Sequence, residues 1–435
     1  MAGKKHMIEH PSYKLASEIR RILTSELGRE FGQTVLVTQC SELNIKSEEL
    51  KVGDLIRLSP ALIRAIRPSS GDEVAQKVGN QIRKLKIQLE LETLKGKEGD
   101  STMARRFADI YVSLGNACLI TGDIEEGDKA YRNAIRYAKK ADYPLKEAEA
   151  NIGIGLIFER DDKWDEAIEY LNKGLSISVK VDYPVGIADA SRWLGHLEWH
   201  RSNYDRALEW LEKGHSNAER TGDEGLVGQI LIEFGLVYSD LGEMAKAIDW
   251  FSRSIPLLES VRDHRQLSRV YNNIGDAYMQ QKIWDKAIQN FEKSEEFARM
   301  INNQQFIGWS LFNSGEALLN IGEVDEAISR GERALKILEP MGDTMGVQGA
   351  IRLMAIGHGK KKDWAKSEEM FAQAMAITDG LSSKYHRGQL LFDMGIMYKD
   401  RGDKKKAKQH FQDAKAIFEE IGAARLLEDV NEELK

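Results

Sequence analysis

A small residue recurs every 40 positions along most of this chain, and that period limits its fold more than any single motif does. The series runs Gly115, Gly155, Gly195, Gly235, Gly275, Gly315 and Gly395, with Ala355 in the seventh place. Twelve residues later stand Gly127, Ala167, Ala207, Ala247, Ala287, Ala327, Ser367 and Ala407. Four beyond these comes a bulky apolar series, Tyr131, Leu171, Leu211, Phe251, Phe291, Phe371 and Phe411, interrupted only by Gly331. Ala134, Gly174, Gly214, Ser254, Ser294, Ala334, Ala374 and Ala414 close each unit.

These spacings have a mechanical meaning. Offsets of three, four and seven put residues on one helical stripe, so Ala287, Phe291 and Ser294 share a face, as do Tyr271, Ile274, Gly275 and Tyr278. Each unit is therefore expected to be two amphipathic helices. Small residues at the crossing let the axes approach, and the aromatic of one helix fills the groove beside the small residue of another. The turns TGD, LGE, IGE and RGD place Gly122, Gly242, Gly322 and Gly402 where a helix ends in the left-handed conformation. A single pair cannot bury its stripes alone, so eight must stack into a right-handed solenoid with a continuous core.

The pattern W/Y-x2-L-G-x2-Y followed by A-x3-F-x2-A resembles the tetratricopeptide repeat (TPR) family over roughly residues 102 to 420. The usual repeat has about 34 residues. The longer unit here resembles the extended repeats of Pins/LGN scaffold proteins and of Rap-type peptide receptors. The resemblance implies an all-α fold: a right-handed TPR superhelical solenoid of eight 40-residue repeats (102–421), preceded by a small helical N-terminal domain (1–95) and a linker (96–101), and closed by a capping helix (422–435). Leu426, Leu427, Val430 and Leu434 form the apolar stripe of that last helix. Ala355, Ser367 and Gly331 depart from the pattern, which puts the irregular packing in repeats six and seven.

Composition narrows the function. The chain has 435 residues, 42% of them apolar and 30% charged, enough for a large core with a polar surface. It contains no apolar run near the ~20 residues of a membrane helix, and its first residues lack the apolar core of a secretory signal, so a cytoplasmic location and no membrane partner are expected. Cys40 and Cys118 are too far apart to imply a disulfide framework or a cysteine zinc site. A net charge of −7 speaks against general nucleic-acid binding. Residues 1 to 95 carry 16 Lys or Arg against 12 Asp or Glu, leaving 46 against 57 beyond, so the two regions differ in sign. Arg83, Lys84 and Lys86 read as a solvated helix face ahead of a contact for nucleic acid or an acidic partner.

Within the N-terminal region, residues 13–31 and 53–67 read as helices, the latter interrupted or restarted near Pro60, and 69–92 opens like a helix start. QTVLVTQCSEL (33–43) is ambiguous and is assigned to helix, because an isolated strand would leave its backbone groups unpaired.

Candidate motifs are few. HLEWH (196–200) places two histidines four apart, but the order differs from HExxH, and a metal would need a third ligand such as Glu159 or Asp240. Neither a metal nor another cofactor is expected. GHGKKKDW (357–364) lacks the strand and glycine spacing of a phosphate loop and is placed at a helix end, with its lysines capping carbonyls. Trp164, Trp284 and Trp364 open second helices and are assigned to the core. No acid/base constellation or nucleophile motif marks an enzyme.

The family resemblance implies that positions two, five, nine, twelve and thirteen of each first helix line a concave groove. There stand Asp189, Arg192, His196, Trp199, His200, Arg269, Asn272, Asp276, Trp309, Phe312 and Phe392. Arg, Asn and exposed aromatics compose a surface suited to a protein or peptide segment with acidic and apolar side chains. The function so implied is a non-catalytic interaction scaffold. The alternative is a peptide- or ligand-switched regulator resembling the Rap-type receptors, with the N-terminal domain as effector.

Overall fold

The computed structural model describes residues 11–48, 50–94, 96, 100–381 and 383–435. The described residues form twenty α-helices and one short 3-10 helix, and none of them is in a strand. The all-α expectation therefore holds. The chain divides into two compact units, residues 1–243 with 253–262 and residues 244–252 with 263–435.

The first unit begins with α1 (Pro11–Leu27), α2 (Arg29–Glu42) and α3 (Leu55–Leu94) around a core of Ile19, Leu23, Leu36, Leu50, Leu58, Leu62, Val78 and Ile82. Gly28, at φ 80°, separates α1 from α2. Residues 33–43 are helical through Glu42, with Val35, Leu36 and Cys40 buried. Burial pushes the Cys40 thiol up from its ordinary value, so it is a packing residue.

One difference from the sequence reading lies in α3, which neither stops at Pro60 nor restarts at 69. It is sharply bent all the same. The Ile63 side chain lies within 2.6 Å of where a Cβ on Gly79 would stand, whereas sixteen residues of straight helix span about 24 Å. Two arms thus fold against each other, bringing Leu58, Leu62 and Ile66 into one core with Ala75, Val78 and Ile82. That shared burial offsets the proline penalty of ~3 kcal/mol.

The second arm of α3 packs against the first repeat. Ile87, Leu91 and Leu94 meet Phe107, Ala108 and Tyr137 of α4 (Ser101–Thr121) and α5 (Ile124–Lys140). Lys84 is not a solvated residue, because its ammonium lies 2.6 Å from both Asp123 and Glu126. Of the linker expected at 96–101, residues 97–99 lie outside the described residues.

Helix pairs follow in both units. The first unit continues with α6 (Pro144–Arg160), α7 (Trp164–Lys180), α8 (Pro184–His200), α9 (Tyr204–Glu219) and α10 (Glu224–Asp240), and the division falls inside α11 (Met244–Ser260). The second unit holds α12 (His264–Gln280), α13 (Trp284–Met300), α14 (Gln304–Ile321), α15 (Val324–Leu338), α16 (Thr344–Lys360), α17 (Trp364–Leu381), α18 (Lys384–Arg401), α19 (Lys404–Ile421) and α20 (Ala424–Glu433).

The periodic residues meet as their spacing requires. A Cβ on Gly115 would stand 2.5 Å from the Tyr131 ring, one on Gly155 2.7 Å from Leu171, and one on Gly275 or Gly395 2.5 Å from Phe291 or Phe411. Each bulky residue, sixteen positions on, thus seals the bare patch of its own repeat. Repeat six breaks the rule, because Gly331 has no side chain to offer Gly315. Leu353 of the next repeat fills that place, 2.5 Å from a Cβ on Gly315, and Met354 covers Gly331 in the same way. Ser367 remains buried by donating its hydroxyl to the Ala355 carbonyl at 2.8 Å.

Turns repeat as well. Positive φ recurs at twenty-residue intervals: Gly122, Asp142, Asp162, Asp182 and Ser202 begin the series, and Gly322, Gly342, Lys362, Gly402 and Gly422 continue it. The glycines expected to adopt this conformation do so. Trp164, Trp284 and Trp364 are half-buried rather than core, because each is the first residue of its helix and keeps one edge in solvent. Lys361 pairs with Asp325 at 2.6 Å instead of capping carbonyls. In α20, Val430 is fully buried and Leu426, Leu427 and Leu434 pack on the core containing Phe411 and Phe418.

Candidate partner-binding surfaces

The first helices of the repeats carry the polar residues singled out above, and each unit gathers its own set. In the first unit that set is built on α8 and α10. His196 Nδ1 lies 3.0 Å from Glu233 Oε2, and His200 Nε2 lies 3.1 Å from His196 Nε2. Trp199 donates its indole N–H to Asp240 at 2.7 Å. The His200 ring packs 4.6 Å from the Trp199 ring and 5.9 Å from that of Trp164. Burial, and then the neighbouring His196, hold the His200 imidazole below its ordinary pKa. Among the described residues, no three His, Cys, Asp or Glu side chains gather as a ligand set.

Arg192 is less available than its place suggests. It is only 9% exposed, pairs with Asp189 at 2.9 Å and lies over the Trp193 ring at 4.4 Å. Asp189 also lines a hollow of about 330 Å³ with Asn116, Glu149 and Tyr183, whose hydroxyl donates to Glu149 at 2.9 Å.

In the second unit the set is a chain of amides and carboxyls. Asn313 donates to Asn272 Oδ1 and Asn272 donates to Asp276 Oδ2, both at 3.0 Å. Burial, followed by the Glu316 charge, pushes the Asp276 carboxyl up to about 7. Glu316 is in turn bound by Arg352, whose guanidinium also donates to Asp393 at 2.6 Å. Burial opposes the Arg352 charge, but Asp393 and Glu316 outweigh it and keep the guanidinium firmly protonated. Burial raises the Asp393 carboxyl despite that partner.

Beside this chain a cavity of about 220 Å³ opens, lined by Ser268, Arg269, Asn272, Asn273, Ser294, Phe306 and Trp309. Trp309 is fixed there by donating to Asp343 at 2.8 Å, and Asp343 itself caps α16 by accepting from the Gly346 N–H. Arg269 is exposed and hydrogen-bonds Gln266 at 3.1 Å. The other two aromatics are not exposed anchors. Phe312 is half-buried against Gly349, and Phe392 is half-buried with its ring 5.7 Å from that of Phe411.

Glu233, Asn313 and Asp393 escaped the sequence reading for one reason. All three occupy position six of their first helices, which the borrowed list of lining positions omits. On a helix, position six lies beside positions two, nine and thirteen, so its side chains reach the same strip. Arg352 was also missed, although it stands at position five, where Arg192 stands in its own repeat, and that position was among the expected lining.

Comparison with known proteins agrees with this architecture. Tetratricopeptide repeat models match residues 107–178, 186–260, 266–339 and 348–420. No curated protein matches the chain. Among solved structures, the apo form of RapI is similar at 14% identity and a TM-score of 0.57, over 75% of this chain and 96% of that one. Aspartyl phosphate phosphatase F from Bacillus subtilis is similar at 14% identity and 0.53, over 96% of each chain. A signal transduction ATPase with a tetratricopeptide repeat sensor, from Pyrococcus horikoshii, reaches 12% identity and 0.57, over 98% of this chain and 66% of that one. At such identities the likeness is one of fold. The repeat spacing, the sealed glycine crossings and the family models that match along it lead to one conclusion: this chain belongs to the tetratricopeptide repeat family.

Proposed function

We propose that this protein is a non-catalytic interaction scaffold that holds a segment of another protein against the first helices of its repeats. The observation that supports this most is the cavity beside Arg269. It has the volume of one large side chain, walls of Trp309 and Phe306, amides from Asn272 and Asn273, and an exposed guanidinium at its edge. Such a site takes an apolar side chain next to a carboxylate. The cytoplasm is the compartment proposed, in keeping with the finding that no described helix is long and apolar enough to cross a membrane.

A second reading is a peptide-switched regulator with the N-terminal helices as effector. It is favoured by the packing of α3 directly on the first repeat and by the likeness to aspartyl phosphate phosphatase F across 96% of both chains. Affinity purification from the native host, with mass spectrometry, supplies the partner for testing. Arg269→Ala should then weaken its binding at least tenfold. Unchanged binding by Arg269→Ala together with Trp309→Ala would remove the cavity from the proposal.

A further inference from the structure

The two histidines of α8 do more than face the same way. Their Nε2 atoms lie 3.1 Å from each other, one helical turn apart. Two imidazole nitrogens at the usual 2.0–2.1 Å from one ion, and 3.1 Å from each other, would subtend about 98° at the metal. That angle lies between the square-planar and the tetrahedral values. The second nitrogen of His196 is already committed, since Nδ1 faces the Glu233 carboxylate at 3.0 Å. A carboxylate only accepts, so Nδ1 carries the proton and the His196 Nε2 lone pair is aimed at His200. A carboxylate behind a ligating imidazole fixes its tautomer and strengthens it as a donor. Glu233 is 12% exposed and His196 17%, so this support is packed in place, whereas His200 is open to solvent and provides the route of entry.

We propose that His196 and His200 form a bidentate site for a divalent transition-metal ion, with Glu233 of the neighbouring repeat orienting His196. In the free protein the His200 Nε2–H donates to His196. On binding, the His200 proton moves to its Nδ1, both Nε2 lone pairs go to the ion, and water fills the remaining positions, so no net proton is released. Imidazole pairs suit Cu²⁺, Ni²⁺ and Zn²⁺; Mg²⁺ and Ca²⁺ prefer oxygen ligands.

The test is calorimetric titration of the full chain with Ni²⁺ and Zn²⁺, with Mg²⁺ as control. Because His6 and His10 also stand four apart in sequence, the titration is done in a His6→Ala, His10→Ala background. The expected result is one ion per chain with a rise in Tm, no response to Mg²⁺, and loss of both effects in either His196→Ala or His200→Ala. Glu233→Gln should weaken binding about 10- to 100-fold. Since His200 is exposed, His200→Ala should melt like its parent in the absence of metal, which separates loss of ligation from misfolding. Unchanged binding in the His196→Ala, His200→Ala double variant, or no binding in the parent, overturns the proposal.

Discussion

The first helices of the two units use the same positions for different chemistry. In the first unit, α8 and α10 join histidine and tryptophan nitrogens to single carboxylates, Glu233 and Asp240. In the second, α14, α16 and α18 gather Glu316 and Asp393 about one cation, Arg352, and Asp276 of α12 lies within the field of Glu316. The first arrangement can lose a member and leave its neighbours paired or wet. In the second, two carboxylates, Glu316 and Asp393, depend on one guanidinium. A repeat scaffold thus carries either separate contacts or a mutually dependent network without any change in backbone.

That contrast makes the largest predicted difference. Arg352→Ala leaves Glu316 and Asp393 facing each other without compensation and should cost about 3–5 kcal/mol, as removal of one partner from a buried ion pair does. Arg192→Ala, at the equivalent position, removes a partner from Asp189 alone and should cost about 1 kcal/mol. Urea unfolding of the two variants measures both. Equal losses would mean that the second-unit carboxyls are not a network. Phe291→Ala, which empties the Gly275 crossing, belongs with the larger effect, at about 3–5 kcal/mol. In a repeat array that loss can be local, so amide exchange around Gly275 is the sharper probe.

Leu353 shows where the sequence stopped being readable. The period placed the helices, the turns and seven of the eight bulky residues, because each seals a glycine or alanine within its own repeat. At Gly331 the filling residue comes from another repeat, and a pattern that looks only sixteen residues ahead cannot find it. The α3 bend was hidden similarly, since an apolar stripe running past two prolines looks alike in a straight helix and in two folded arms. At the candidate surfaces, residue types were legible and pairings were not. Arg192 and Arg269 have the same identity and share a helical face, at positions five and two, yet one is buried on Asp189 and the other is exposed.

A pH series tests the network more gently. Burial holds the Asp276 carboxyl up at about 7 in the folded chain, against its ordinary 3.8 when unfolded. Between those values the native state holds the extra proton, so stability of the second unit should fall as pH rises from about 4 to about 7. Asp276→Asn keeps an amide in place without a charge. It should flatten that part of the profile and add up to about 4 kcal/mol above pH 7. A slope unchanged by the substitution would assign the pH dependence to other groups.

The smallest effect is the one most specific to function. Arg269→Ala removes an exposed side chain whose hydrogen bond is to Gln266, so the melting curve should be nearly unchanged. If the cavity receives a carboxylate-bearing segment, the same change should weaken partner binding at least tenfold, about 1.4 kcal/mol. Arg192→Ala should do the reverse, lowering Tm while leaving affinity within twofold, because its guanidinium is spent on Asp189 and Trp193. Measuring both variants by calorimetry and by thermal melting separates the two roles. Loss of affinity with Arg192→Ala but not Arg269→Ala would move the partner to the first unit. If neither variant affects binding and an Arg83→Ala, Lys84→Ala, Lys86→Ala triple variant abolishes it, the partner docks on the N-terminal helices. Lys84 is itself tied to Asp123 and Glu126, so that triple variant must also be shown to melt like the parent before its result counts.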